Sequence, residues 1–362
     1  MRLIGREEIE NIALGASFFG AGGGGNPYVG KMMAIAAVEK FGPVKLVSTD
    51  EIEEEDLFIS VAGMGAPTVL AEKIPNGNEY RHAFEKISQY IGKQFTGVFP
   101  IEAGGVNSMI PLVVAAQLGI PLVDCDTMGR AFPELQMTTL HLGGINISPL
   151  VITDEKGNIS VTETVTDKWA ETILRAETTE MGGQAAVALY PCTGANLKQW
   201  GVHGIVSQCE VVGQMIEQAS GSKEDPYEAL LRETDGFHLF QGKIVDVIRT
   251  TKNGFNFGTI QIDGLDQDKG SRCEIDFQNE NKIAKVDDRL SAVTPDLIIL
   301  VDTETLVPVT TENLKYGKRV RVLATKANPL WRTKKGIETT GPRYFGYDMD
   351  FKPVEDLQKE EV

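Results

Sequence analysis

IPLVDCDTMGRAFPELQM, residues 120–137, begins as a strand and ends as a cluster of charge. The run from Ile120 to Val123 is apolar and too short for a helix, so it reads as a buried strand that delivers Asp124 and Asp126 at its end. Side chains alternate along a strand, which predicts that both carboxylates face one way and Cys125 the other. Arg130 and Glu134 follow within a few residues. Carboxylates crowded on one face repel each other unless a cation, a shared proton or a hydrogen-bonding ligand sits among them. That makes this stretch the first candidate for chemistry. A plainer reading is also open, because an aspartate at a strand end can cap the next helix and Arg130 with Glu134 has the spacing of a helix-surface ion pair.

Similar apolar runs precede it: VKLVS at 44–48, LFISVA at 57–62 and TGVFPI at 96–101, with helical stretches at about 78–93 and 107–118. Strand and helix in alternation imply an α/β N-terminal domain with a helix-flanked, largely parallel sheet. Two further helices are expected at 7–19 and 28–41, the first with Ile9, Ile12, Ala13 and Phe19 behind an acidic first turn. PLVITD and ISVTET read as a hairpin, and helices at about 167–180 and 205–219 flank the apolar strand AAVALY, with Trp169 expected to lock this connector to the core. From about Lys243 the pattern changes to short strands with Gly, Asn and Asp turns: KIVDVIRTT, GFNFGTIQID, CEIDFQ, LIILVD and KRVRVLAT. This predicts a C-terminal β-rich domain, either a sandwich or barrel-like. The resulting division is an α/β domain over 1–165, a helical connector and β-rich domain over 166–355 with its β part from about 240, and a tail at 356–362.

The 362 residues suit two domains, and 42% hydrophobic with 24% charged residues is ordinary for a globular protein. A formal charge of −16 repels phosphate backbones, so no nucleic-acid partner is expected. Apolar runs fall short of the roughly eighteen residues of a membrane span, and MRLIGREEIE lacks a signal-peptide core. No membrane association is therefore expected, and the location is read as cytoplasmic. Cys125, Cys192, Cys209 and Cys273 are far apart, which fits a reducing compartment.

The second constellation is the loop GAGGGGNP, residues 20–27, set between two helices with Asn26 and Pro27 as cap and first-turn residues. Backbone N–H groups of Gly22, Gly23, Gly24 and Gly25 form a cradle for an oxyanion or a carboxylate; equally, the glycines could serve only a tight turn between packed helices. In open α/β sheets ligands bind where strands end. Glu102, Gly105 and Asn107 follow the strand at 96–101, Gly63 and Gly65 follow the strand at 57–62, and Asp124 and Asp126 close the next. His141 is near enough in sequence to join Asp124 and Asp126 around a divalent metal such as zinc, although a lone histidine is more often hydrogen-bonded near a core. Cofactor need is otherwise not indicated.

FGAGGGGNP (19–27), IEAGGVNS (101–108), VDCDTMGRAFPELQM (123–137), EMGG (180–183), FQNEN (277–281), TPDLI (294–298) and GPRYFGYD (341–348) together resemble the S-methyl-thiohydantoin desulfurase family over nearly the whole chain. The resemblance implies an α/β N-terminal and a β-rich C-terminal domain. It further implies hydrolytic removal of sulfur, as a thiol, from a five-membered ring related to hydantoin, and a hydantoinase- or oxoprolinase-like partner protein. The segment GIVSQ, 204–208, departs from the family pattern in carrying Ile205 in place of threonine. Combined with the residues, this assigns water attack on the ring carbon to Asp124 or Asp126 as general base, with the other carboxylate protonated or binding a ring N–H. Arg130 and Glu134 complete the catalytic candidates, Arg130 orienting a carboxylate. Gly22 to Gly25, Glu102, Gly105 and Asn107 are the candidates for holding the small cyclic substrate. Two other readings stay open: a metal-dependent cyclic amidase acting on a hydantoin- or oxoproline-like ring, and a non-catalytic ligand-binding subunit of a hydantoinase-type partner. A homo-oligomer is expected.

Overall fold

The apolar runs become adjacent strands: β1 (Arg2–Ile4), β2 (Val44–Val47), β3 (Leu57–Gly65), β4 (Gly97–Phe99) and β5 (Leu122–Val123). In this computed structural model, which describes residues 1–65, 69, 73, 75–221, 225–252 and 254–359, β2, β5, β4 and β3 lie side by side and parallel. A short β6 (Cys125–Asp126) continues past β5 but pairs elsewhere, with β10 (Val202–His203). The eight-stranded sheet is finished by β1 on one side and, on the other, by antiparallel β9 (Gln184–Thr193), β7 (Leu150–Thr153) and β8 (Ile159–Thr162). AAVALY is thus not an isolated connector strand; it lies in β9, inside the sheet, between β3 and β7.

Local signals set the helices. In α1 (Arg6–Phe19) the Glu8 carboxylate accepts from Gly5 N at 2.8 Å, and in α2 (Pro27–Phe41) Asn26 Oδ1 accepts from Tyr28 N at 2.9 Å with Pro27 opening the first turn. α3 (Glu79–Ile91), α4 (Ile110–Leu118) and α5 (Asp167–Glu180) pack directly on the strands. α4 is apolar along its length and buried from Ile110 to Ala116, as expected of a helix covered on every side. α6 (Ile205–Glu217) crosses α1 where both carry glycine: a Cβ on Gly15 would sit 1.8 Å from Cys209 O, and one on Gly213 would sit 1.9 Å from Asn11 O. Only glycine permits so close a crossing. Trp169 on α5 does not lock a core as expected, being 55% exposed.

Seven strands form the C-terminal sheet: β11 (Phe237–Lys252), β12 (Phe255–Gly264), β13 (Arg272–Gln278), β14 (Glu280–Val286), β15 (Arg289–Val293), β16 (Leu297–Asp302) and β17 (Arg319–Thr325). Every pairing is antiparallel, in the order β15-β14-β13-β12-β11-β17-β16. The sheet curls into a half-barrel, and β14 returns against β16 without a ladder; Asn281 Nδ2 donates to Ile298 O across the gap at 2.8 Å. β16 is buried on both faces. Ile298 and Leu300 enter the half-barrel's own core, while Leu297, Ile299 and Val301 join the core of the α/β part, so strand alternation docks one half on the other. A short helix, Val354–Leu357, runs into the tail, and residues 360–362 lie outside the described residues.

Candidate active site between the two halves

One pocket collects the ends of β3 and β4, the glycine loop, the segment after β6, and the turn between β13 and β14. Its wall includes Gly24, Gly25, Gly63, Glu102, Asn107, Phe132, Glu134, Arg175, Gln184 and Glu280. Of the residues picked from the sequence it therefore brings together Gly24, Gly25, Gly63, Gly65, Glu102, Asn107 and Glu134. Gly22, Gly23, Gly105, Asp124, Asp126 and Arg130 do not line it.

The glycine loop works first as a joint. A Cβ on Gly23 would lie 2.1 Å from Glu280 Oε1, and one on Gly24 would lie 2.4 Å from Gly104 Cα while requiring a φ of +76°. Neither position admits a side chain unless its neighbours move. Carbonyls of the same loop accept from the other half, Ala21 O from Asn281 N at 2.9 Å and Gly22 O from Thr311 N at 2.8 Å. Gly105 packs on the loop rather than on the pocket, since its Cβ would meet Gly25 O at 2.5 Å.

Glu102 is held at the end of β4 by Asn107, whose Nδ2 donates to Oε1 at 2.8 Å and whose Oδ1 accepts from Gly63 N at 2.8 Å. The same amide thus ties the end of β3 to the carboxyl. Burial and the neighbouring charge of Glu280 push Glu102 up to about 8, against the opposing hydrogen bonds from Asn107 and the Phe132 N–H. Near neutral pH it is mostly a neutral acid.

Glu280 arrives from the C-terminal half. The turn FQNEN places Asn279 at φ +57°, and Glu280 and Lys282 then project from the same side of β14. Lys282 Nζ lies 3.2 Å from Glu280 Oε2, with side-chain exposures of 0% and 3%. The ammonium also sits 4.4 Å from the Phe345 ring centroid and 5.8 Å from that of Phe132. Burial draws Lys282 down to about 8, opposed by Glu280.

Several readings from the sequence need correction. Asp124 is an acceptor for α6: Val206 N and Ser207 N donate to Oδ1 at 2.9 and 3.1 Å, and Ser207 Oγ donates to Oδ2 at 2.5 Å. These bonds cap the first turn of α6, a helix some eighty residues further along the chain and not the next one. Asp126 folds back on its own turn, with Oδ1 accepting from Met128 N at 3.1 Å and Gly129 N at 2.8 Å, and burial pushes it well above the carboxylate range. The alternation argument fails because β5 stops at Val123 and β6 starts at Cys125 with a different partner. Arg130 forms no ion pair with Glu134. Its Nη1 donates to the carbonyls of Pro295 and Asp296 at 2.6 and 3.0 Å, so it fastens the two halves from within. Burial lowers Arg130 to about 10. Glu134 instead accepts from Lys168 Nζ at 2.5 Å, from Tyr344 OH at 2.6 Å and from Gln136; these partners hold it below the usual range although burial opposes them. His141 Nδ1 lies 2.7 Å from Asp167 Oδ2, and among the described residues no three His, Cys, Asp or Glu side chains converge on a point suited to a metal ion.

The Asp124 assignment has a direct check. Asp124→Asn is expected to leave any turnover within a few-fold and to lower stability by about 1 kcal/mol, the scale of a lost helix cap. Denaturant midpoints alongside initial rates test this. Intact stability with turnover gone would return Asp124 to the chemistry.

Glu280, Lys282, Phe132, Arg175 and Gln184 were not identified from the sequence as site residues. FQNEN contained the signal for Glu280, as a glutamate beside a tight turn and two residues before a lysine, but a hairpin turn with an exposed ion pair reads the same way.

An α/β domain and an antiparallel half-barrel, closing a carboxylate-lined pocket between them, define the class of two-domain protein to which this chain conforms. The chain belongs to the S-Me-THD-like family, that of the S-methyl-thiohydantoin desulfurase-like proteins, with residues 7–164 matching its N-terminal domain and 165–354 its C-terminal domain. A crystal structure of a protein from Chromobacterium violaceum has the same fold, with a TM-score of 0.81 and 22% identity over 98% of this chain and 100% of that one. No curated protein matches the chain. No helix among the described residues is long and apolar enough to cross a membrane.

Proposed function

We propose that the chain is a hydrolase that removes sulfur, as a thiol, from an S-methyl-thiohydantoin-like ring. The observation that carries this reading is the pairing of Glu102 and Glu280 at one pocket, with surroundings that separate their roles, in a chain of this family. Hydrolysis of a ring carbon bearing S-methyl and double-bonded to nitrogen needs a base for water and an acid for the electrons that collect on nitrogen and sulfur. Glu280, beside the Lys282 ammonium, takes a proton from the attacking water. Glu102, largely protonated at neutral pH, donates to the ring nitrogen.

As the carbon–sulfur bond breaks, its electron pair leaves with sulfur, and the proton held by Glu280 completes methanethiol. The balance is one water consumed, with one of its hydrogens ending on sulfur and one on nitrogen and its oxygen becoming the ring carbonyl. Glu102 regains its proton through the second half of that exchange. Asn107 holds the acid in place, and Gly24, Gly25 and Gly63 allow the ring to approach the backbone.

The test is thiol release from S-methyl-thiohydantoins by the purified chain alone, followed with a thiol reagent. Turnover well above the uncatalysed rate is expected without any added protein. Release only on addition of a hydantoinase-type partner would make this chain the accessory subunit instead.

A further inference from the structure

Arg130 is a fully buried cation held only by neutral groups. Nε donates to Ala131 O at 3.0 Å, and Nη1 donates to Pro295 O and Asp296 O at 2.6 and 3.0 Å. All three acceptors are carbonyls, and Nη2 is buried with no hydrogen-bond partner among the described residues. A charge taken out of water in this way is costly unless an anion touches it. The other cations around the pocket have one: Lys282 has Glu280, Arg175 has Glu171, and Arg332 has Asp296 and Glu355. Among the described residues, no carboxylate forms a contact of that kind with Arg130.

Its surroundings point to the pocket. The guanidinium carbon sits 4.5 Å from the ring centroid of Phe132, a wall residue, and Lys282 Nζ lies 5.8 Å from the same centroid. The carboxylates whose charge reaches Arg130 are Glu280 first, then Asp296 and Glu102. Asp296 spends its oxygens on Arg332 and on the amides of Ala327 and Val354, which leaves Glu280 and Glu102, the base and acid of the proposed reaction. We infer, on the ring reading above, that Arg130 is a positioning residue for this pair: a fixed charge behind the wall that steadies the negative charge built up when water attacks. Once Glu280 has taken the water proton, and before Glu102 gives up its own, the adduct is anionic. A cation already in place lowers its energy without reorganising. On Glu102 the same charge works with Asn107 and the Phe132 N–H against burial and Glu280, which together raise the acid to about 8. Asp126, itself pushed up by burial, is a further acid within reach of Glu102.

Arg130→Gln and Arg130→Lys separate the charge from the clamp. Both give up part of the bonding to Pro295 and Asp296, so urea midpoints should fall in both. Only the glutamine loses the charge. Its turnover on an S-methyl-thiohydantoin should drop about tenfold with the Michaelis constant little changed, less than a donor touching the reacting atoms would cost. Its basic limb, set by Glu102, should move up by about half a unit or more, because removing a nearby positive charge favours the protonated acid. The lysine variant should keep turnover within about threefold and leave that limb in place. Equal losses in the two variants with the limb unmoved overturn the inference and make Arg130 a fastener of the two halves alone. Should Arg130→Gln not fold, the lysine decides by itself, and a folded Arg130→Lys that loses about tenfold or more is the overturning result. Titration of Glu102 by carboxyl-carbon NMR in the intact chain and the variants reads the same shift without turnover. If the intact chain releases no thiol, the ring reading falls, and the effect of Arg130 on Glu102 is still decided by that titration.

Discussion

Glu102→Gln is expected to lower turnover on an S-methyl-thiohydantoin by about 10²- to 10⁴-fold, the range general acid–base groups contribute. The substitution keeps the shape, and its amide oxygen can still accept from Asn107, so the pocket should persist and the Michaelis constant should change little. Sign matters for the pH profile. In the proposed reaction Glu102 is the acid, burial raises it to about 8, and so the rate of the unsubstituted chain should hold through neutrality and fall as pH rises through that value. The variant should lack this limb. Near-full turnover in Glu102→Gln, with the basic limb unchanged, would remove Glu102 from the proton transfer.

A second large effect is expected at the buried pair. Lys282→Met leaves the Glu280 carboxylate without its ammonium at a site where the two side chains are 3% and 0% exposed, and loss of one partner of such a pair costs about 3–5 kcal/mol. Turnover should fall as well, because the ammonium that fixes the Glu280 carboxylate at 3.2 Å is gone. Combining Lys282→Met with Glu280→Gln should recover much of the stability and none of the rate. Urea midpoints for the single and double changes, together with initial rates, separate the two contributions. A single change that leaves the midpoint in place would show that the pair carries no energetic coupling.

About half of the candidate site is legible in the sequence. Strand ends gave Glu102 and Asn107, because β-branched runs closed by Gly-Gly or Gly-x-Gly mark where an α/β sheet presents its ligands, and the pocket is there. Glu280 and Lys282 were hidden because they become site residues only when β16, buried on both faces, brings the half-barrel against the α/β core. No local pattern in residues 277–281 encodes that docking. The aspartates misled for the opposite reason. Local pattern was strong there, but a break in pairing between Val123 and Cys125 and the arrival of α6 turned Asp124 into an acceptor for a distant helix. The glycine loop is divided: Gly24 and Gly25 line the pocket, and Gly22 and Gly23 are spent on close approach to Asn281 and Glu280.

The place of β9 in the first sheet bears on how the chain can be divided. Sequence families part at residues 164 and 165, yet β9, which follows that point, fills the space between β3 and β7. A fragment cut there would keep β3 and β7 but lose the strand that pairs with both, baring two rows of peptide groups and the apolar faces of Ala186, Ala188 and Tyr190's neighbours on either side. Unpaired edges of that kind recruit one another, so the severed N-terminal piece is a candidate for aggregation rather than a working module. The two units inherited by sequence are one unit in assembly, and exchange of halves between relatives would succeed only where the incoming β9 carries a matching register.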